Sequence, residues 1–136
     1  IAIYWPLKNE VDIRSLKKKF TLALPRCKDK KELLFYPWDE KPLTKDSEGI
    51  LSPNNSSPLS HLQISMILVP CLSVDKNLTR LGYGGGYFDK LRRDNDWRNV
   101  PCIGVLTSNC VSTIPLTRAE WDIPLSGFIT EKEIFV

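Results

Sequence analysis

Residues 64–93 read ISMILVPCLSVDKNLTRLGYGGGYFDKLRR, and three successive elements in this segment determine the architecture that we expect. Residues 64–69 form an apolar run without alternation, which is typical of a strand covered on both faces in a parallel sheet. Pro70 ends the run, a glycine cluster follows, and residues 87–93 have the composition of a helix. A buried strand, a glycine-rich loop and a helix in this order favour an α/β domain.

Other apolar runs have the length of strands and end at prolines or charged turns. We predict strands at residues 2–5, 20–24, 33–36, 102–106, 127–130 and 134–136. Apolar residues recurring every three or four positions from Ile13 onward predict a helix with Asp12 as its N-cap. The connection at residues 37–60 carries many Pro, Ser and Asn without periodicity, which indicates either a functional loop or little regular structure.

Length and composition limit the class of protein. A chain of 136 residues with 42% hydrophobic residues suits one domain, residues 1–136. A net charge of +3, dispersed along the chain, argues against a nucleic-acid partner. No apolar run approaches the roughly 20 residues of a membrane span. One histidine and four scattered cysteines leave almost no ligands for a zinc site and suggest a reducing, cytoplasmic location.

The glycine cluster is the strongest indication of a ligand. Four of the seven glycines lie within five positions: Gly82, Gly84, Gly85 and Gly86. Glycines before a helix allow backbone N–H groups to approach an anion closely, although the spacing matches neither the Walker nor the Rossmann pattern. Arg80 before the loop could clamp phosphate oxygens, and Asp89 after it could hold Mg²⁺. These elements together suggest a nucleotide site, whereas glycines alone would indicate only a tight turn.

The segment RLGYGGGYFDKLRR resembles the signature of the 5-formyltetrahydrofolate cyclo-ligase family, also called 5,10-methenyltetrahydrofolate synthetases. The opening IYWPLKNEVDIRSL and the closing WDIPLSGFITEKEIF resemble the family's folate-contacting and C-terminal segments. The resemblance implies a three-layer α/β/α fold with a mostly parallel sheet, akin to the ribose-phosphate isomerase and CoA transferase group. Family members carry a further N-terminal segment with basic residues that contact ATP, so relative to the family we expect the domain to be N-terminally incomplete.

The implied activity is the ATP- and Mg²⁺-dependent conversion of 5-formyltetrahydrofolate to 5,10-methenyltetrahydrofolate, with release of ADP and phosphate. The substrate can carry a polyglutamate tail, and we expect a monomer. The resemblance implies an ATP site formed by Arg80, Leu81, Gly82, Tyr83, Gly84, Gly85, Gly86, Tyr87 and Phe88. It implies a folate site formed by Trp5, Glu10, Tyr83, Gly84, Gly85, Gly86 and Tyr87. It further implies that Arg80, Tyr83 and Tyr87 are catalytic and that Asp89 and Asp122 bind Mg²⁺.

Each assignment has a simpler alternative. Glu10 could be a solvated loop charge, Asp122 a cap of a turn, and Trp5 a core residue. At the level of function, the same cradle could serve a sugar-phosphate isomerase or a CoA transferase relative, which would need no pair of metal-binding carboxylates. A truncated member that binds folate or nucleotide without turnover is the alternative outside catalysis, and a nucleic-acid binder would show affinity that falls steeply with salt.

Overall fold

The computed structural model describes residues 1–54, 57–82, 85–120 and 122–136. These residues form ten strands: β1 Ala23–Cys27, β2 Leu33–Pro37, β3 Thr44–Lys45, β4 Leu51–Ser52, β5 Ile67–Pro70, β6 Ser73–Val74, β7 Arg80–Leu81, β8 Cys102–Val105, β9 Gly127–Ile129 and β10 Ile134–Phe135. The one α-helix that they form, α1, spans Tyr87–Arg93. Short 3-10 helices cover Arg14–Lys18, Asp29–Lys31, His61–Gln63, Trp97–Asn99 and Ser108–Cys110.

A sheet with a parallel centre organises the molecule. Strands β5, β8 and β9 lie side by side in parallel, and β10 continues the sheet antiparallel to β9. On the other side, β1 and β2 form an antiparallel hairpin. Ala2 connects the two parts, because it bridges Ala23 and Ile67 in parallel. The order across the sheet is therefore β2, β1, Ala2, β5, β8, β9 and β10.

The central strands are covered on both faces, as the unbroken apolar pattern predicts. All four residues of β5 and all four of β8 are buried. Along β5, Ile67 and Val69 pack into one core cluster, whereas Leu68 packs into a second cluster together with Ile103. Successive side chains of a strand point to opposite faces, so the two clusters lie on the two sides of the sheet.

Two strand predictions were wrong in extent. Instead of a strand at residues 2–5, only Ala2 forms β-bridges, although Ile3 also donates its N–H to Ala23 at 2.9 Å. The strand predicted at residues 20–24 begins later and runs through Pro25. Ala2 is the parallel neighbour of β1, but it pairs only with Ala23. At Pro25 the strand therefore has one partner strand, β2, and the missing N–H of proline is tolerated.

The helix predicted after Asp12 is a 3-10 helix of five residues, Arg14–Lys18, whose N-cap residue is Ile13. Asp12 does not cap it from that position. Its carboxylate accepts the Arg14 N–H at 3.0 Å and forms an ion pair with the Arg14 side chain at 2.6 Å. A short Asx-type interaction therefore replaces the expected cap.

The remaining elements agree closely with expectation. The structure confirms the helix at residues 87–93 and strands within residues 33–36, 64–69, 102–106, 127–130 and 134–136, with bounds that differ by up to three residues. The long connection contains the small hairpin β3–β4. The fold is thus mixed α/β, and the three-layer arrangement stays a prediction. No helix in the described ranges is long and apolar enough to cross a membrane.

Candidate active site

A cavity of about 580 Å³ opens at the carboxyl end of β5, where Pro70 meets the glycine loop. Its walls also come from the loop after Ala2, from the two hairpins β1–β2 and β3–β4, and from α1. Every described residue that the sequence assigns to ATP, folate or metal lines this cavity: Trp5, Glu10, Arg80, Leu81, Gly82, Gly85, Gly86, Tyr87, Phe88, Asp89 and Asp122. The two other predicted residues, Tyr83 and Gly84, lie outside the described residues.

A buried carboxylate shapes the turn that leads into the cavity. Asp75, only 2% exposed, accepts backbone N–H groups from Asn77 at 2.9 Å, Thr79 at 3.0 Å and Leu116 at 2.7 Å. Burial acts to raise the pKa of Asp75, but these three donors and the charge of Arg118 outweigh it, and the pKa lies below its usual value. The turn joins β6 to β7, so it places Arg80 at the cavity wall.

Arg80 is held on two sides. Its Nε donates to the Pro70 carbonyl at 2.9 Å, and its Nη1 lies 3.9 Å from an Asp89 carboxylate oxygen. The side chain is 11% exposed, and its guanidinium lies 5.5 Å from the centre of the Phe88 ring. Gly82 leaves the space for it, because a Cβ there would stand 2.6 Å from Nη1. The bond to Pro70 orients the guanidinium beside the cavity.

The glycine loop passes directly into α1. Gly86 is the N-cap of this helix and has a φ of +77°, a left-handed conformation that glycine adopts without strain. Because glycine has no side chain, the cap position offers no side-chain acceptor to the first N–H groups of the helix. Asp89 occupies the first turn of α1. Asp89 is 58% exposed at its side chain, so its carboxylate is accessible from the cavity.

Two neighbouring turns contact the glycine loop from outside. The Lys31 ammonium donates to the Gly85 carbonyl at 2.6 Å and lies 5.5 Å from the centre of the Tyr87 ring. The Tyr87 hydroxyl donates to a Glu48 carboxylate oxygen at 2.5 Å. That hydrogen bond is the main reason that the pKa of Tyr87 rises to about 12. Tyr87 therefore stays a neutral donor at physiological pH.

Two of the predicted folate residues, Trp5 and Glu10, line the cavity from the loop after Ala2. Glu10 accepts the Leu7 N–H at 2.7 Å, and burial raises its pKa, opposed by that bond and by the charge of Arg80. The Trp5 ring is 5.8 Å from the Trp38 ring in an edge-on arrangement. Trp5 is half-buried and also packs against the core. It combines the core role that we considered with a surface turned to the cavity.

Asp122 closes a turn at the cavity, as the simpler alternative expected, whereas its binding of a metal stays a prediction. Its carboxylate accepts the Ala119 N–H at 3.0 Å, which closes a turn, and the residue also lines the cavity. Within the described part of the chain, no three His, Cys, Asp or Glu side chains are grouped so that they could hold a metal alone. Any cation at Asp89 and Asp122 would therefore need oxygen ligands from a substrate or from water.

The charge of the cavity is mainly negative. Of the described side chains that line it, one is cationic, Arg80, and five are carboxylates: Glu10, Asp46, Glu48, Asp89 and Asp122. A bare triphosphate would meet net repulsion in such a site. A nucleotide accompanied by a divalent cation would fit the same charges.

Comparison with known proteins agrees with this constellation. The sequence model of the 5-formyltetrahydrofolate cyclo-ligase family matches residues 1–131. The chain belongs to this enzyme family. A 5-formyltetrahydrofolate cyclo-ligase from Haemophilus influenzae is 30% identical over 138 residues, which cover 92% of this chain and 72% of that protein.

Two solved structures from the same family have similar folds. The 5,10-methenyltetrahydrofolate synthetase of Aquifex aeolicus superposes with a TM-score of 0.78 at 30% identity, over 98% of this chain and 69% of the other. The synthetase of Mycoplasma pneumoniae has a TM-score of 0.66 at 26% identity, over 97% of this chain and 73% of the other. Both likenesses support the mixed α/β fold that places the cavity at the glycine loop.

Sequence reasoning about the cyclo-ligase family missed several polar residues of this cavity. Asp46, Glu48 and Thr117 line it, and Lys31 contacts the glycine loop from the turn after β1. Asp46 and Glu48 belong to the connection at residues 37–60, whose unusual length was the available signal. Lys31 had no signal, because it stands in a charged turn that is typical of a solvated surface.

Proposed function

We propose that this chain converts 5-formyltetrahydrofolate to 5,10-methenyltetrahydrofolate, using ATP and Mg²⁺ and releasing ADP and phosphate. One observation carries the proposal: all described residues assigned to ATP, folate and metal line a single cavity. These residues come from positions as far apart as 5 and 122, and most of them belong to the stretches 80–82 and 85–89. Membership in the family supports the activity, since the relatives named above are cyclo-ligases and methenyltetrahydrofolate synthetases.

Arg80 and the glycine loop form the proposed triphosphate site. The Pro70 carbonyl occupies Nε of Arg80, so both Nη groups can donate to phosphate oxygens. Gly85 and Gly86 line the same cavity. Glycine permits close approach of phosphate to their backbone. Tyr87, neutral and oriented by Glu48, completes the wall of this site.

The donor set fits Mg²⁺. Asp89 and Asp122 supply hard carboxylate oxygens, and Mg²⁺ commonly binds through one or two carboxylates together with substrate phosphates and waters. Mg²⁺ would neutralise charge on the phosphate oxygens. The cavity requires this because its five carboxylates would otherwise repel the phosphates. The residues of this chain hold and orient the reacting groups.

The chemistry requires the formyl oxygen to become a leaving group. Transfer of the γ-phosphoryl group of ATP onto that oxygen achieves this, and N10 of the folate then attacks the activated carbon and closes the five-membered ring. Positioning and charge neutralisation supply most of the catalysis in phosphoryl transfer. Glu10 and Trp5 hold the folate in this scheme, since a carboxylate can accept two N–H bonds from the pterin edge.

The test follows the absorbance of the methenyl product when the chain is mixed with 5-formyltetrahydrofolate, ATP and Mg²⁺. We expect a rise that requires ATP and is abolished by EDTA. Asp89→Asn should lower the rate by at least a hundredfold with an unchanged circular dichroism spectrum, because one oxygen ligand is lost. Asp96→Asn is the matched control: its carboxylate is 69% exposed and lies outside the cavity, so the rate should be unchanged.

A folded sample that binds 5-formyltetrahydrofolate by calorimetry but gives no ATP-dependent product would refute catalysis by this chain. Normal turnover of Asp89→Asn would remove that carboxylate from the site.

A further inference from the structure

Arg92 is a buried cation on the helix that carries Asp89. Only 6% of it is exposed, and its Nη1 donates to the carbonyls of Ile123 at 3.0 Å and Pro124 at 2.9 Å. No carboxylate of the described residues lies within 4.0 Å of the guanidinium, and Nε has no hydrogen-bond partner among them. Burying a charge without a counter-ion costs free energy of folding, which indicates a further role for the buried Arg92.

The two carbonyls that Arg92 binds belong to the residues directly after Asp122. Asp89 stands three positions before Arg92 on α1, about one helical turn away. Arg92 thus connects the helix that carries one carboxylate to the backbone that follows the other. The N–H of Ala119 orients the Asp122 side chain locally.

We infer that Arg92 is a positioning residue that sets the separation of Asp89 and Asp122 and thereby the affinity of the site for a divalent cation. The inference rests on the proposed function, which assigns these two carboxylates to Mg²⁺. A methionine could fill most of the space, but it has no N–H group to donate to either carbonyl. The effect of Arg92 on the cation is indirect, through the backbone of the segment after Asp122.

The experiment measures Mn²⁺ binding in the presence of ATP by electron paramagnetic resonance, which does not depend on turnover. Arg92→Met removes both hydrogen bonds and should weaken Mn²⁺ binding about tenfold or more, as loss of partners behind metal ligands commonly does. Arg92→Lys keeps one donor group and should restore part of the affinity. Arg93→Met, the exposed neighbour, is the matched control and should bind Mn²⁺ like the unmodified chain.

Steady-state kinetics provides the second readout. For Arg92→Met, the Mg²⁺ concentration at half-maximal rate should rise about tenfold, while the KM for 5-formyltetrahydrofolate changes less than twofold. A role in general stability alone would not single out the cation. If Arg92→Met fails to fold, Arg92→Lys carries the test, because it keeps the charge and most of the volume.

The outcomes separate the inference from the proposed function. Unchanged Mn²⁺ binding in Asp89→Asn and Asp122→Asn would refute the metal assignment and the inference with it. Weakened binding in those two variants, together with unchanged binding in a folded Arg92→Met, would overturn the inference alone, and Arg92→Lys replaces Arg92→Met in this comparison only if the latter does not fold.

Discussion

Replacement of Asp75 by Asn tests how the turn before the glycine loop is held. The Oδ1 atom of Asp75 accepts two N–H groups, and Oδ2 accepts that of Leu116 at 2.7 Å. An amide has one oxygen and one NH₂ group, so in either orientation at least one backbone N–H faces another donor. The residue is 2% exposed, and water therefore cannot easily satisfy the two opposed donors.

The expected loss of stability follows from this geometry. Two buried donors without acceptors cost about 1–3 kcal/mol each, and partial relaxation of the turn gives an expected loss of about 2–4 kcal/mol in the free energy of unfolding. Asp94→Asn is the matched control, since Asp94 is exposed and one oxygen of its carboxylate, Oδ1, accepts the Asp96 N–H at 2.8 Å. We expect that variant to stay within about 0.5 kcal/mol of the unmodified chain.

Urea unfolding followed by tryptophan fluorescence measures both variants, and its dependence on pH provides a second check. Because the pKa of folded Asp75 lies below the ordinary value of 3.8, its ionised form stabilises the fold above pH 3.8, and this contribution is lost as the pH falls through the folded pKa. The difference between the unmodified chain and Asp75→Asn should therefore shrink in acid. Equal stability of Asp75→Asn and Asp94→Asn at neutral pH would refute the reasoning.

Two further predictions concern the cavity. Gly82→Ala places a Cβ 2.6 Å from the Arg80 guanidinium and must displace it. The KM for ATP should therefore rise roughly tenfold to a hundredfold, with little change in the KM for folate. An unchanged KM for ATP would contradict this placement of Arg80. Glu48→Gln removes the carboxylate that raises the pKa of Tyr87 to about 12. Spectrophotometric titration should then show one tyrosine with a pKa nearer the ordinary value of 10. In a Tyr87→Phe background, Glu48→Gln should not produce this change.

The elements at the centre of the sheet were predictable from local patterns. Strand β8 has no polar residue, and α1 follows a glycine cluster, so both were expected at their observed positions. The error at residues 2–5 has a different origin. Whether an apolar run pairs along its length depends on neighbours distant in sequence, and here only Ala2 lies between β1 and β5. The apolar pattern of one segment therefore does not predict how many of its residues pair.

The candidate site was predictable where residues are adjacent and less so where the fold brings them together. Arg80 and the glycines share one continuous motif, and resemblance to the family added Glu10 and Asp122. Lys31 could not be found and Glu48 could only be placed within a long connection, because exposed charges in polar turns are common and only the contacts with Gly85 and Tyr87 distinguish these two residues. Arg92 was also missed, although its side chain is buried rather than exposed. It stands among other charges on α1, and nothing in the sequence indicates that it is buried.

The bridges of Ala2 also imply an order of events during folding. Ala2 pairs with Ala23 and with Ile67, and the second partner lies about 65 residues further along the chain. Closing that loop costs conformational entropy before contacts repay it, whereas the hairpin β1–β2 forms from neighbouring residues and can appear early. On a ribosome, the hairpin would emerge well before β5, and the cavity would lack a wall until Asp122 had left the exit tunnel. The cavity should therefore be complete only after the segment that carries Asp122 has emerged.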